Sequence, residues 1–457
     1  MRYHIGVRIL CKERYMPTFT FTEAPKNWEI IQQKDGFANI AIKGNFEAAD
    51  KDESAPIWVG LLDENDCSPV IEWQRAEKNG SEFSATLARV PAGGLYRIEV
   101  RFGAHRYSIP NDSAGQLAIH HIGVGDNYLI AGQSNSSGTG KGEAEATLDL
   151  MVHGLRDAKT WDIATNPLDI FNTKHAPWIS FAKTLARKLG YPIGLIPTAR
   201  GGSHLSRWLP DENKDLFENM VRVVKENKIG LKGILWYQGC AEAAEHLGDT
   251  YLARFGKFVR AAREAFALPD LPILTVQINR FVDGDKSEES QLHWSLVREA
   301  QRQAAEQIPG VFVTTAFDAH LSDGIHNGAP TNPMIGHRVA QQALHRIYGK
   351  GTCHDAGNIS AAVRSEDGKE VKLSFANVMG IVEYGLATRS PFLFEDEKGS
   401  VAFESMKVAL DSLTFTLSRP LVGRAYATYL YGSDFTHYFC DGANQIPLLA
   451  FYHYEIK

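Results

Sequence analysis

Tyr128-Leu129-Ile130-Ala131-Gly132-Gln133-Ser134-Asn135 is a short apolar run that stops on a glycine and turns at once to polar side chains. Four runs of the same make follow it: Ile193-Gly194-Leu195-Ile196, Gly233-Ile234-Leu235-Trp236-Tyr237, Pro272-Ile273-Leu274-Thr275-Val276-Gln277 and Val311-Phe312-Val313-Thr314-Thr315. Helical stretches lie between them: Phe181, Leu185 and Leu189 among Lys and Arg, then Tyr251 to Phe266, then Leu292 to Ile308. Continuous apolar strands with helical crossovers make a parallel sheet covered on both faces. The expected fold class is therefore α/β, a three-layer α/β/α core with five parallel strands over residues 123–350.

Outside that region the pattern changes to alternation. Ile57–Leu62, Phe83–Leu87 and Leu95–Phe102 are short, largely alternate apolar with polar residues, and are separated by Gly, Pro, Asn or Asp. That is the pattern of antiparallel strands with one wet face, so an N-terminal β-sandwich is expected over 1–122. Val371–Phe375, Leu413–Leu417, Ala425–Leu430 and Leu449–Tyr454 repeat it, and a C-terminal β-sandwich is expected over 351–457.

Composition excludes several classes. In 457 residues, 48 Lys and Arg stand against 54 Asp and Glu, a net charge of −6, which argues against nucleic acid or an anionic membrane as the main partner. No apolar run approaches the roughly 18 residues of a membrane span. The start, Met1-Arg2-Tyr3-His4-Ile5-Gly6, shows no long apolar stretch before a small-residue cleavage site, so a cytoplasmic location is expected, although a secreted chain already trimmed of its signal would read the same. The five cysteines (Cys11, Cys67, Cys240, Cys353, Cys440) are odd in number and scattered with no C-x-x-C, which speaks against a disulfide framework or a zinc ribbon. His120-His121 has no third ligand at useful spacing, so no metal is expected.

In an open α/β sheet, ligands bind beyond the carboxyl ends of the strands. After the first run, Gly132 to Gly142 fits neither a phosphate-binding loop, a dinucleotide fingerprint nor the nucleophile elbow, since Asn135, Glu143 and Ser136 each fail a required glycine. Alone, Ser134 fits a polar turn capping a helix as well as it fits a nucleophile. Arg200-Gly201-Gly202-Ser203 follows the second run, and its adjacent glycines suit either a plain turn or close backbone approach to a ligand. Gln238 ends the third run as a strand cap or a donor into the cleft. Cys240 nearby reads better as a packed thiol than as a nucleophile. After the last run, Asp323-Gly324-Ile325-His326 places a carboxylate where it can accept Nδ1–H within one loop and leave Nε2 free as a base. His337 reads as structural.

Four of these blocks together resemble the SGNH/GDSL hydrolase superfamily, in its sialate O-acetylesterase-like and acetylxylan esterase-like branch. They are Gly132-Gln133-Ser134-Asn135, Gly201-Gly202-Ser203 with Trp208, Trp236-Tyr237-Gln238-Gly239, and Asp323-Gly324-Ile325-His326. Trp294 with Val297–Gln301, and Ile446–Phe451, resemble further segments of such proteins. The resemblance implies an SGNH core acting as a serine carbohydrate O-acetylesterase without cofactor. Ser134 would be the nucleophile, His326 the base and Asp323 its orienter. The oxyanion hole would use the Ser134 and Gly201 backbone N–H groups and Gln238. Gln133, Asn135, Ser203, His204, Arg207 and Trp208 are candidate substrate contacts, with packing or loop support as the rival reading. The expected partner is an acetylated sugar: a sialic acid or a xylo- or manno-oligosaccharide. The chain departs from the branch after Trp236–Gly239, where Cys240, Ala241 and Glu242 replace the usual Glu-Ser-Asn. A glycan-binding protein with a dead hydrolase core, and an esterase for another acyl group, are the alternatives.

Overall fold

The five apolar runs are strands, Gln116–Gly132, Ile193–Pro197, Gly233–Tyr237, Ile273–Val276 and Val311–Thr314, and they pair in parallel. A computed structural model describes residues 18–47, 55–103, 116–144, 147–169, 174–385 and 390–457. Cys11 and the start of the chain, on which the location reading rested, lie outside them. The described residues form two compact units, 1–125 and 126–457.

In the second unit a sixth strand, Val152–Arg156, pairs in parallel with Ile193–Pro197, and Thr160–Ile163 adds an antiparallel edge. The sheet is thus larger than the five strands expected. Val152–Arg156 escapes a periodicity reading because His153 and Gly154 interrupt it. His153 is nevertheless buried, and its Nε2 lies 2.9 Å from Leu150 O. Strand order puts Gln116–Gly132 in the middle, with Ile193–Pro197 on one side and Gly233–Tyr237 on the other. The chain therefore changes direction of travel across the sheet at this strand, and the crevice that results opens at its carboxyl end, at Gly132.

Amphipathic helices connect the strands. Trp178–Leu189 buries Trp178, Phe181, Ala182, Leu185 and Ala186, a helical spacing, and stops at Gly190 in the left-handed region (φ 80°). It packs against Asn332–Arg346. Tyr251–Ala265 and Glu288–Gln307 pack on each other.

Antiparallel strands from Asn358 to Ile456 make three further sheets in the same unit. Their apolar core takes in Phe317, which follows the last parallel strand. Gln277 binds the closing segment through both amide atoms, donating to Ala450 O and accepting from Ala450 N at 3.0 Å each. Thr315 Oγ1 donates to Pro447 O at 3.0 Å.

The first unit is antiparallel except where Ile30–Gln32 runs parallel to Gly123–Gly125. Phe37–Glu47 alternates buried and exposed residues along its length, and its inward side chains join a core with Ile57, Val59, Leu87 and Val100.

Candidate active site

Gly132 sits at φ 110°, and a Cβ there would lie 2.5 Å from Tyr237 O. Only glycine allows the strand to turn this sharply against its neighbour. The turn delivers Gln133 and Ser134 directly over the sheet edge. Ser134 opens a single helical turn, Ser134–Ser137, and is buried at 8% exposure. Gly138 N, Thr139 Oγ1 and Ser137 Oγ all donate to its carbonyl, at 3.1, 3.0 and 3.2 Å.

His326 and Asp323 meet as their spacing implies. Nδ1 of His326 lies 3.0 Å from Asp323 Oδ2, while Asp323 Oδ1 accepts His326 N at 2.9 Å and Ile325 N at 3.2 Å. A carboxylate at Nδ1 fixes the proton there and leaves Nε2 as the basic nitrogen. Partial burial pushes the Asp323 carboxyl up. The hydrogen bonds from the His326 side chain and backbone, from Lys141 and from Ile325 outweigh it and hold the group well below its ordinary 3.8.

Asn135 ties the two loops together. Its Oδ1 accepts Asn327 N at 3.0 Å and its Nδ2 donates to Ile325 O at 3.3 Å. The residue after the serine thus bonds the residues on either side of His326. Gln133 does the same toward the third strand, its Oε1 accepting Gly239 N at 3.0 Å and Ala241 N at 3.3 Å. Both side chains serve to join loops.

The second block divides. A Cβ on Gly201 would meet nothing within 4 Å, so this glycine borders open space. Ser203 and Trp208 are fully buried instead. Ser203 Oγ donates to Gly132 O at 3.2 Å and accepts Trp208 Nε1 at 3.1 Å, and the indole packs edge-on against Trp236 and Phe258. Packing, the rival reading for these two, is where the structure puts them, because both polar atoms are used within the protein. Arg207 is half-buried and forks onto Asp215, while His204 is partly exposed.

Gln238 is fully buried, and its Nε2 protons go to Ser203 O at 3.2 Å and to Glu242 Oε2. Its amide is therefore turned to a buried carboxylate. Glu242 needs those donors: it also takes Leu205 N, and Arg254 Nη1 lies 3.8 Å away. Burial raises its carboxyl above the ordinary value, against the pull of these hydrogen bonds. Cys240 is buried as well, and burial pushes its thiol up to about 12, which leaves it protonated.

Two side chains escaped the sequence reading. Lys141 Nζ lies 3.0 Å from Asp323 Oδ2, making the carboxylate a four-donor hub. It sits in the glycine-rich loop that failed the phosphate pattern, and nothing in its spacing announces a pairing 182 residues away. Asn327 is buried and joins Asn135, Tyr237 Oη and Asn279. Its position directly after His326 was the available signal. Among the described residues, no cluster of three His, Cys, Asp or Glu side chains is placed to hold a metal, and no helix is long and apolar enough to cross a membrane.

Residues 124–345 match the family described as carbohydrate esterase, sialic acid-specific acetylesterase. In fold, the chain is similar to a carbohydrate acetylesterase from Xanthomonas citri, at 21% identity and TM-score 0.67 over 95% of this chain and 99% of that one. A protein from Arabidopsis thaliana matches 48% of this chain and 98% of its own at 25% identity, with TM-score 0.43. No curated protein matches the chain. The class that the matched region points to is the carbohydrate esterases, which are carboxylic ester hydrolases. Residues 124–345 thus resemble the sialate O-acetylesterase-like branch of those esterases.

Proposed function

We propose that the protein is a serine O-acetylesterase acting on acetylated sugars, its core a three-layer α/β/α sandwich with accessory β-sandwiches. The observation that carries this reading is the doubly bonded Asn135, which joins the Ser134 turn to a His326 already oriented by Asp323. In this mechanism Nε2 of His326 takes the Ser134 proton as Oγ attacks the acetyl carbonyl. The backbone N–H groups of Ser134 and Gly201 receive the oxyanion; one such donor is commonly worth roughly 10²–10³ in rate. Gln238 joins them only if Glu242 releases its amide. His326 returns the proton to the sugar alcohol, and water then hydrolyses the acetyl-serine by the same route in reverse.

The test is acetate release by wild type and Ser134→Ala from 4-nitrophenyl acetate, acetylated xylo- and manno-oligosaccharides, and 9-O-acetyl sialic acid. We expect wild type alone to release acetate, with rates falling steeply from acetyl to octanoyl esters. Turnover by Ser134→Ala at the wild-type rate would remove the serine from the mechanism. Rates that rise with acyl length would point to another acyl group.

A further inference from the structure

A cleft of about 770 Å³ in the second unit opens beside the Gly140–Glu143 loop. Among the described residues its wall carries four cations, Lys141, Lys174, Lys183 and Arg187, and the carboxylate of Glu143. Some of these charges have partners within the protein: Lys141 on Asp323, Lys183 on Thr147 O and Oγ1, and Arg187 on Asp149 at 3.7 Å. Lys183 meets neutral oxygens in those contacts, and Arg187 remains 71% exposed. His175, also in the wall, registers the same field. Burial first, and the Lys183 charge second, pull its imidazole below the ordinary value.

Lys141 places the cleft relative to the chemistry. It lines the cavity and touches Asp323, which stands behind His326. The cleft therefore meets the catalytic array at its carboxylate end and not at Ser134. A sugar whose acetyl group lies at Ser134 reaches the cations only through a neighbouring sugar unit.

We propose that this cleft is an anion subsite for an acidic oligosaccharide, taking the carboxylate of a sugar adjacent to the acetylated one. The proposal rests on the acetylesterase reading for the bond that is cleaved, but not for the binding itself. A cluster of exposed cations holds a carboxylate by charge, weakened by salt, and Arg187 adds a planar fork suited to its two oxygens.

The test is direct binding, by calorimetry, of an unacetylated xylo-oligosaccharide bearing one glucuronic acid and of its neutral counterpart. Free glucuronate and inorganic phosphate serve as small-anion probes. Wild type should bind the acidic oligosaccharide about tenfold more tightly than the neutral one at low salt, with most of the difference gone near 0.5 M, as expected for partly screened charge pairs. Lys174→Met combined with Arg187→Met should bring the two within about twofold of each other, since both changes remove attraction and leave the sugar contacts. Equal wild-type affinity for the acidic and neutral oligosaccharides overturns the proposal. So does binding of free glucuronate or phosphate as tight as that of the acidic oligosaccharide, which would mark a plain anion site. Acid-selective binding without acetate release from any ester would leave the subsite standing and remove the esterase.

Discussion

Asp323 is the side chain on which the proposed catalytic array turns, because four donors converge on its two oxygens. Lys141 is the one whose removal leaves the loop backbone intact. Its ammonium holds the carboxylate in line with the imidazole, so Lys141→Met should lower kcat on 4-nitrophenyl acetate by about tenfold with little change in KM, the pattern of a lost charge-assisted contact. Lys141→Arg should restore most of the rate; equal loss in both variants would mean that packing, not charge, is what matters. Asp323 also makes a pH prediction. Its folded pKa lies below the ordinary 3.8, so its contribution to stability is complete above about pH 5 and fades as pH falls toward the lower folded value. The melting-temperature difference between wild type and Asp323→Asn should accordingly be flat from pH 8 to about pH 5 and shrink below it. A difference that persists unchanged to about pH 2 would show that the carboxylate is not held down as described.

Loops rather than strands decide whether the array assembles, and here the elements divide into those the sequence announces and those it does not. Gly233–Tyr237 was readable to the residue, because a fully buried parallel strand must be apolar throughout. Asp323 and His326 were readable because their partnership is local. Asn135 and Gln133 were legible only as polar residues beside a serine; that they staple one loop to the next depends on strand order, which no local pattern encodes. Ser203 and Trp208 misled as sugar contacts for a related reason: a serine and a tryptophan near a glycine pair look alike whether they face a ligand or each other. The staple is testable. Asn135→Ala leaves the buried Asn327 N–H without its acceptor and frees the His326 loop, at a cost of about 1–3 kcal/mol in stability. Activity should fall further than stability does, since misplacing a base by even about 1 Å can lose 10²-fold in rate. Hydrogen exchange should show faster opening of residues 322–329 and no change in the parallel strands. Unchanged exchange there would mean the loop holds its shape without Asn135.

Within the 126–457 unit, the parallel sheet and the later antiparallel strands are joined through buried polar contacts, and Arg298 carries the most. Its guanidinium is fully buried and donates to carbonyls: Ile278 and Asn279 at 3.0 Å on the parallel-sheet side, and Leu430 and Gly432 in the loop that follows the antiparallel strand Ala425–Tyr429. Burial lowers its pKa to about 9, which still leaves it charged at neutral pH. A charge held this way is tolerable only while hydrogen bonds compensate its burial. The two sheet systems should therefore unfold together. Hydrogen exchange of Leu129 and Leu235, in the parallel sheet, and of Leu373 and Phe415, in the later strands, should report one shared opening event. Arg298→Met leaves those carbonyls buried without donors, and should destabilise both sets alike by about 3 kcal/mol. Lysine cannot substitute, because one ammonium does not span four carbonyls lying on two sides of a planar fork. If Arg298→Met loosens Leu373 and Phe415 while Leu129 and Leu235 keep wild-type protection, the later strands form a separately folding body, and the guanidinium is a local contact rather than the joint between them.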